Sequence, residues 1–541
     1  MIWDKYLKCK SYLDEISLVN RTNECWDMCF DNQWNVGRNR TLNTGGVSLP
    51  FGNIIKPTVK DHTSTIAQNS FMPILRSDFA DDDVMDALNK LLYNEWRIGK
   101  QRSRLWKIIK HGLIQGDSYQ YCGTEDPKDD QIIPNTNVMF GDESNPNIQE
   151  QPYILIRGRE LVTRIRQEAK EQGIKDYEIN RIVGDSDKEF VIGDKSAKDV
   201  EEKCTYVIYL EKKDGIVHMG KSASGVDYYP LKPLANVRPG GEVISGMTLY
   251  PIANFIPEQF INSARGLSTV RAMIPNQIEI NKIMYRRSAS SAQVSFPKMV
   301  ANSNAISNVE DIEKVGAVIF TNGSTESVKG AIDYILPAST SPDAANLQSE
   351  LISLTRQLNG SSESLSGMTD PTRVAAKTVI ALSDLSARPL NEAVDNCKLF
   401  VEDLARIWFD QKITYHPDGL VIGDVEIDIE TLKKIDLEVE IDVTKENPWT
   451  REAEQAFLDN LFGTKDITLE EYVDASPDNG AVPKSKMKKL FMKRKEKEAE
   501  EAQAEAEAQQ AELQQTEQSQ QEVPNASMPM QDPSTVGQIQ P

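Results

Sequence analysis

Residues 266 to 293, GLSTVRAMIPNQIEINKIMYRRSASSAQ, combine a helical spacing of side chains with an end that is small and polar. Spacings of three and four residues place one stripe along the helix, formed by Leu267, Val270, Ile274, Ile278 and Asn281. Pro275 predicts a kink or a restart, because proline cannot donate the helical hydrogen bond. The end RRSASSAQ suits neither a buried core nor free solvent, so we expect it to lie against another helix or to line water.

A compact insert at 294–340 follows this helix. Its segments VGAVIFTNG and IDYILP predict short strands, and TNGS predicts a turn. Residues 341 to 359 then predict a second helix, because Ser341 can cap it and Pro342 suits its first position. Its apolar stripe consists of Leu347, Leu351, Leu354 and Leu358. Two helices therefore bracket a small β-containing insert.

The following region alternates between a loop, a long helix and strands. Residues 360 to 372 are rich in Ser and Gly and predict a mobile loop. Residues 373 to 412 predict a long helix that Pro389 bends near its middle. Its stripe consists of Leu382, Leu385, Val394, Cys397, Val401, Leu404 and Trp408. Acidic strand-like sequence leads to residue 447, and two further helices are predicted within 448–490.

The first half of the chain mixes helices with strands. Residues 1 to 150 are typical of helices and loops, with two amphipathic helices within 78–122. Between 150 and 255 the segments PYILIRG, KEFVIGD, CTYVIYLEK, GIVHMGK and GEVISGMTLYPI predict short strands. One helix-like segment, RELVTRIRQEAKEQG, interrupts them. The predicted fold class is α+β, with a largely antiparallel sheet.

The charge of the chain limits its mode of contact with nucleic acid. The 541 residues carry a formal net charge of −21, whereas a protein that grips duplex DNA by neutralising phosphates is usually basic. Tight, static DNA binding is therefore disfavoured, while a surface that DNA slides past is allowed. The sequence contains no apolar run of membrane-spanning length and no signal sequence, so we expect a cytoplasmic protein without a membrane contact.

Metal and catalytic sites receive little support from the sequence. Six cysteines and four isolated histidines favour simple thiols, even for the pair Cys25 and Cys29, which would need two more metal ligands. The acidic run 81–83 is typical of a helix start, and the acidic residues within 185–189 lack the spacing of a calcium loop. No phosphate loop is present. We expect no catalytic residue, no cofactor, no metal site and no enzymatic activity.

The order of elements is more informative than any single motif. FDNQW, NIIKPTVKDHTSTIAQNSFMPILRS and LIQGDSYQY precede the strands, the two helices with their insert, the loop and the long helix. This order resembles the portal protein of tailed bacteriophages over roughly residues 20 to 475. The resemblance implies a ring, a homododecamer in the virion, at one capsid vertex. Viral DNA would enter through its channel during packaging and leave during genome ejection.

The resemblance also divides the chain into the parts of that fold. It implies a wing over 1–265, a stem helix over 266–293, a clip over 294–340, a second stem helix over 341–359, a tunnel loop over 360–372, a long kinked wing helix and closing strands over 373–447, and a crown over 448–490. Residues 491 to 541 would hold the end of a basic run and a disordered tail rich in Glu and Gln.

Candidate contact residues follow from these parts. In the tunnel loop, Ser362, Ser364, Ser366 and Met368 would face DNA, unless the loop is a plain flexible connector. The stem candidates are Arg286, Arg287 and Gln293, and the clip candidates are Lys298, Asn302 and Asn304. The basic run at 484–497 could contact DNA or scaffold through Lys488, Lys489, Lys493 and Arg494, or could be a solvated helix end.

The implied partners are those of a head-to-tail connector at the DNA-packaging vertex. They are further copies of the chain, double-stranded viral DNA, terminase, a head-tail adaptor, the major capsid protein and scaffold. The protein would be assembled in the host cytoplasm and end in the virion. Two alternatives remain open: a different head-tail structural protein, such as an adaptor or minor capsid protein, and a metal-dependent nuclease.

Overall fold

A computed structural model of the chain describes two compact units, Met1–Lys445 and Glu446–Pro541. The described residues are 2–30, 33–34, 49–76, 82–185, 201–238, 243–295, 298–301, 304, 306–308, 318, 320, 332–335, 342–360, 388–422, 425–428, 432, 438–445, 458, 460–464, 467 and 472. In the second unit the described residues 460–464 are helical, and the rings of Phe462 and Tyr472 lie 5.1 Å apart. The predicted crown and tail otherwise fall outside the described residues.

The first unit begins with helices and one strand. They are α1 (Ile2–Glu15), α2 (Leu18–Cys29), α3 (Ile55–Ala67), β1 (Asn69–Arg76), α4 (Asp82–Ile98) and α5 (Gln101–Gln115). The predicted amphipathic pair is α4 and α5, and its stripe is buried at Leu88, Leu105 and Ile108. Ile98 is exposed instead, since α4 ends there and Lys100 turns the chain with a left-handed φ of 51°.

Strands and short helices follow. They are β2 (Ser118–Tyr121), β3 (Gln131–Pro134), β4 (Val138–Phe140), β5 (Ile154–Leu161), α6 (Val162–Glu171), α7 (Asp176–Ile179), β6 (Lys203–Lys213), β7 (Ile216–Ala223), β8 (Val226–Pro233), β9 (Ala235–Val237), β10 (Val243–Gly246) and β11 (Ile252–Phe255). One sheet has the order β4-β5-β6-β7-β8 and another β11-β2-β3, and every pairing in them is antiparallel. The α+β prediction is confirmed, while KEFVIGD lies outside the described residues.

The rest of the unit contains the helices that bracket the insert. Its elements are α8 (Thr269–Ser295), β12 (Lys298–Ala301), β13 (Ile332–Ile335), α9 (Pro342–Leu358), a 3-10 turn (Arg388–Leu390), α10 (Asn391–Tyr415), β14 (Leu420–Ile422), β15 (Val425–Ile427) and β16 (Glu438–Lys445). Strand β16 pairs antiparallel with β1, from Asn69 opposite Lys445 to Arg76 opposite Glu438. This pairing closes the unit on its own N-terminal part, and nothing in the sequence analysis predicts β1.

The largest core joins α4, α5, α10 and β11. Its buried side chains include Leu88, Ile109, Phe255, Phe400 and Trp408. The predicted stripe of the long helix is buried from Cys397 to Trp408, with Val394 half-buried, whereas Leu382 and Leu385 lie outside the described residues. Pro389 stands in the 3-10 turn from which α10 starts. This is the position that suits a residue without an amide hydrogen.

A buried polar cluster ties α10 to the three-stranded sheet. The Asp130 carboxylate accepts hydrogen bonds from Gln120 Nε2 at 2.8 Å and from Trp408 Nε1 at 3.2 Å. Gln411 Nε2 donates to the Cys122 carbonyl at 2.7 Å, one helical turn further along α10. Burial raises the pKa of Asp130 to about 6, although the hydrogen bonds from Gln120 and Trp408 oppose that rise. The long helix is thus held by a carboxylate that titrates close to neutral pH.

This carboxylate should make stability depend on pH. Folded Asp130 keeps its proton to about pH 6, whereas an unfolded aspartate loses it near pH 4, so the native state binds more protons in between. Stability from Asp130 is therefore present below about pH 4 and falls by up to about 3 kcal/mol as pH rises to about 7. We expect Asp130→Asn to lack this fall in the free energy of unfolding, measured by urea denaturation across that window.

Asp129→Asn is the matched control, because Asp129 is the exposed neighbour of Asp130. It should keep the pH profile of the wild-type protein. An Asp130→Asn variant whose stability follows the same pH profile as the wild type would show that the buried carboxylate does not titrate as described.

Candidate functional site

Helix α8 lies with one face in a core of the first unit. Val270 and Ile274 of the predicted stripe are buried, and Ile278 is half-buried against the same core. The side chains that cover them are Cys25, Trp26, Ile55 and Ile114, from α2, α3 and α5. The helix is continuous across Pro275, so the predicted restart does not occur. Leu267 precedes the helix and is exposed, which corrects the start of the predicted stripe.

Two buried amides continue the stripe beyond its apolar part. Gln277 Oε1 accepts from the backbone N–H of Ile54 at 3.0 Å, and Gln277 Nε2 donates to the Gly52 carbonyl at 2.8 Å. Asn281 Nδ2 donates to Gln33 Oε1 at 2.7 Å. The two bonds of Gln277 satisfy backbone groups of the segment before α3, which would otherwise be buried without partners. Asn281, the polar residue of the predicted stripe, therefore fixes α8 to a second segment of the chain, at Gln33.

A buried arginine fixes the chain just before α8 begins. Arg265 donates to both oxygens of Glu143, at 2.9 and 2.8 Å, and to the carbonyls of Asn135 and Val138, at 2.9 and 2.7 Å. Its Nη1 lies 3.4 Å from an oxygen of Asp117. The bidentate geometry determines both the position and the direction of the guanidinium. Four donor contacts from one side chain therefore fix the point where α8 leaves the sheets.

The protonation states of this cluster follow from its contacts. Burial would lower the pKa of Arg265, but the carboxylate of Glu143 beside it holds that pKa well above the ordinary value. Burial raises the pKa of Asp117, and the guanidinium of Arg265 opposes that shift. The arginine is therefore a permanent buried cation, and its removal would leave two carboxylates in a site built for a positive charge.

Two glycines allow the chain to cross at the same place. Gly116 ends α5 with a φ of 102°, a conformation that favours glycine. A Cβ at Gly266 would collide with the backbone carbonyl of Gly116, and a Cβ at Gly116 would lie 2.6 Å from the carbonyl oxygen of Gly266. The start of α8 and the end of α5 therefore touch backbone to backbone, directly beside Arg265.

Helix α9 lies along α8. Asn276 Nδ2 donates to Thr355 Oγ1 at 2.9 Å, and Arg287 Nη1 donates to Gln348 Oε1 at 2.6 Å. Thr355 is buried, so the side of α9 that faces α8 is polar. The predicted leucine stripe points elsewhere: Leu347, Leu354 and Leu358 are 49%, 44% and 71% exposed. Helix α9 therefore contacts α8 through polar groups and leaves three leucines uncovered by the described part of the chain.

The structure describes some of the predicted contact residues, and the others lie outside the described ranges. Arg286 and Arg287 are exposed on α8, and Gln293 lies in its last turn. Lys298 lies in β12, Asn304 is exposed, and Asn302 lies outside the described residues. Two sets fall outside the described ranges altogether: Ser362, Ser364, Ser366 and Met368 of the loop, and Lys488, Lys489, Lys493 and Arg494 of the basic run. The structure brings Arg287 to α9 through a hydrogen bond, and none of the other described candidates takes part in that bond.

Within its described residues, the insert between the helices contains one strand pair. Strand β12 pairs antiparallel with β13, which is the predicted IDYILP strand, while β12 itself is not predicted. VGAVIFTNG is described only at Val318 and Phe320, neither of which is in a strand. Asn308 contacts both of them, since its Nδ2 donates to the Val318 carbonyl at 2.8 Å and its Oδ1 accepts from the Phe320 N–H at 2.9 Å.

The described residues bear on the hypotheses of a metal site and of a membrane-spanning helix. Cys25 and Cys29 are buried free thiols, and burial raises the pKa of Cys25 to about 11. Of the acidic residues within 185–189, only Asp185 lies in the described ranges, where it pairs with Arg159 at 3.4 Å and accepts the Thr205 N–H at 2.7 Å. Within the described ranges no cluster of three such side chains could hold a metal ion, and none of the helices there is long and apolar enough to span a bilayer.

The comparisons with known proteins give no family and show a distant structural likeness. No family model and no curated protein matches the chain. Among solved structures it is similar to a chain of "Virion of native gene transfer agent (GTA) particle", at 12% identity and a TM-score of 0.29. The match covers 78% of this chain and 88% of that chain. Similarity at this level is too low to transfer a function.

The Arg265 cluster generates a stability prediction. We expect Arg265→Met to lower the free energy of unfolding by about 3–5 kcal/mol, because Asp117 and Glu143 would stay buried without their cation. Urea denaturation of the purified variant measures the change. Arg271→Met is the matched control, since Arg271 is exposed on α8 and should change stability by less than about 0.5 kcal/mol. Equal stability of the two variants would contradict the role of Arg265 as a buried anchor.

Proposed function

We propose that the protein is a ring-forming structural protein of a tailed-phage particle, a portal, whose channel conducts viral DNA. The observation that carries the proposal is the α8–α9 pair. Arg265 and the two amides of α8 anchor the pair to the first unit, while α9 keeps Leu347, Leu354 and Leu358 exposed. A helix held in place with an uncovered apolar stripe is suited to contact another molecule.

A second copy of the chain is the partner that we propose for this stripe. Identical subunits that join through two different faces form a closed ring when the rotation between them closes. Full burial of a leucine side chain contributes roughly 1.5–3 kcal/mol, so three leucines at each contact could supply several kcal/mol. The resemblance in element order, with two helices on either side of a β-containing insert, supports the same arrangement.

The surface of α8 agrees with a channel that conducts DNA without gripping it. Its outward side carries four basic residues, Arg271, Lys282, Arg286 and Arg287, and one carboxylate, Glu279. Lys282 and Glu279 pair with each other at 2.5 Å. A few basic side chains can contact phosphates, while the net charge of −21 opposes the extensive phosphate neutralisation that holds DNA in place. Docking of terminase, of a head-tail adaptor and of capsid or scaffold proteins is proposed from the resemblance.

The role proposed for residues 360 to 372 as a tunnel loop, and for 484 to 497 as a DNA or scaffold contact, stays a prediction. A head-tail adaptor or minor capsid protein is the alternative within the same class. A metal-dependent nuclease is the alternative from another class, and incubation with duplex DNA and Mg²⁺ or Mn²⁺ would reveal it as cleavage. We propose that the protein has no such activity.

Electron microscopy of the purified protein tests the proposal. We expect the wild-type chain to form closed rings with an open axial channel. The triple variant Leu347→Gln, Leu354→Gln, Leu358→Gln should need at least about tenfold more protein to reach the same fraction of rings, because it loses apolar contact at each interface. Its monomer should unfold like the wild type, since the three side chains are exposed in a single copy.

Leu7→Gln on α1 is the control, because Leu7 is 49% exposed and Leu347 has the same exposure. It should assemble like the wild type. Wild-type protein that stays monomeric at high concentration would reject the ring, and rings of unchanged stability in the triple variant would reject the part assigned to α9.

A further inference from the structure

Helix α5 presents a basic face with an aromatic residue in its middle. Its inward side chains Leu105 and Ile108 are buried, while Arg102, Trp106 and Lys107 are exposed on the opposite side. Lys110 follows one turn later and is half-buried. Trp106 is 41% exposed, although a large indole is usually covered. The face therefore combines positive charge with apolar area.

An aromatic residue directly after the end of α2 extends this face. Phe30 is exposed and stacks on Trp26 at a ring distance of 5.2 Å. Lys110 Nζ lies 5.2 Å from the centre of the Phe30 ring. These contacts keep Phe30 and Lys110 in defined positions beside Trp106, so less side-chain freedom is lost when a partner binds.

The local charge is opposite to that of the chain as a whole. Residues 97 to 110 contain six basic residues, Arg97, Lys100, Arg102, Arg104, Lys107 and Lys110, and no acidic residue. The complete chain carries −21, so copies of it repel one another on average. A contact between copies gains most where a basic face meets an acidic one. The α5 face is suited to that role.

Helix α10 carries an acidic face of matching size. Phe400, Val401 and Leu404 are buried, whereas Glu392, Asp395 and Leu399 are exposed and Glu402 is half-buried. Between 392 and 403 there are four carboxylates and one lysine, which gives a net charge of −3, and that lysine, Lys398, pairs with Asp395 at 2.7 Å. Leu399 is 57% exposed at the centre of these charges. This face also combines charge with one apolar side chain.

The two faces match residue by residue. Arg102, Trp106 and Lys110 lie about 6 Å apart along α5, because four residues separate each from the next. On α10, Asp395 and Glu402 lie about 6 and 4.5 Å along the axis on either side of Leu399. We propose that the basic face of α5 in one copy docks on the acidic face of α10 in the next copy, with Trp106 on Leu399. The inference rests on the proposed ring and assigns one of its interfaces.

Duplex DNA is the other ligand that a basic face could take, and the structure favours a protein. Arg104 of the same helix is turned away, since its Nη2 donates to the Lys128 carbonyl at 2.7 Å. The net charge of −21 over the whole chain also opposes the neutralisation of many phosphates that a DNA grip requires. A tryptophan at the centre of the face is typical of protein interfaces.

Charge reversal in two separate variants tests the contact. The first variant is Lys107→Glu with Lys110→Glu, and the second is Glu392→Lys with Glu402→Lys. Each variant alone should need at least about tenfold more protein to form rings, because the two reversed side chains then meet like charges at every interface. An equal mixture should recover rings in which the two variants alternate, since every interface then joins opposite charges. Native mass spectrometry distinguishes alternating from random composition.

The control for the first variant is Lys90→Glu with Lys170→Glu, which changes the net charge by the same amount and in the same direction at two exposed lysines on α4 and α6. It should assemble like the wild type. Thermal unfolding of each variant tests that the chain folds. If the first variant does not fold, Lys107→Gln with Lys110→Gln replaces it and should weaken assembly in proportion to the lost charge.

The possible outcomes distinguish the proposed α5–α10 contact from the proposed ring. Wild-type rings together with full assembly of either reversed variant would overturn the α5–α10 contact and leave the ring standing. Folded variants that fail alone and also fail when mixed would overturn it as well. Loss of DNA binding in the first variant with unchanged assembly would assign the basic face to DNA instead. A wild-type chain that never assembles would reject the ring, and with it this interface.

Discussion

The buried contact between Arg265 and its two carboxylates is the constraint on which the arrangement of the long helices depends. It joins three segments that are distant in sequence, because Asp117 and Glu143 lie more than a hundred residues before Arg265. A bidentate guanidinium tolerates little displacement. Helix α8 begins four residues later, so its direction is determined at this point. Further along the helix, Gln277 and Asn281 hold α8 by hydrogen bonds to other segments of the chain.

Because α8 is anchored, the α8–α9 pair can present a surface to neighbouring copies even though the two helices meet through polar side chains. Helix α9 has few apolar contacts of its own and is held through Thr355 and Gln348 by α8, which is itself anchored. Its leucines are thus presented on the side of the helix that α8 leaves uncovered. The large negative charge opposes assembly, and local opposite charges on α5 and α10 can offset it. The apolar stripe and the charge pairing would therefore act as two contact areas between neighbouring copies of the same ring.

The elements that could be predicted from sequence are those with strong local periodicity. Helices α4, α5, α8 and α9 and strands β5 to β7 follow from the spacing of apolar residues and from turn residues. Strand β1 could not be predicted, because its partner β16 lies more than three hundred residues later and its own sequence contains Pro73. Arg265 has no local signal either, since its role comes from partners in other segments. The leucines of α9 were visible as a stripe, but only the structure shows that the described part of the chain leaves three of them uncovered.

Hydrogen–deuterium exchange of the wild-type protein tests most directly whether α9 depends on a neighbouring copy. In a single copy α9 has one packed side, so its amides should open at low free energy and exchange fast. On assembly, exchange over residues 342–358 should slow markedly, while the central strand β6 serves as a reference that exchanges slowly in both states. Exchange over 342–358 that is equally slow in dilute monomer and in assembled protein would contradict the account, because α9 would then already be covered within one copy.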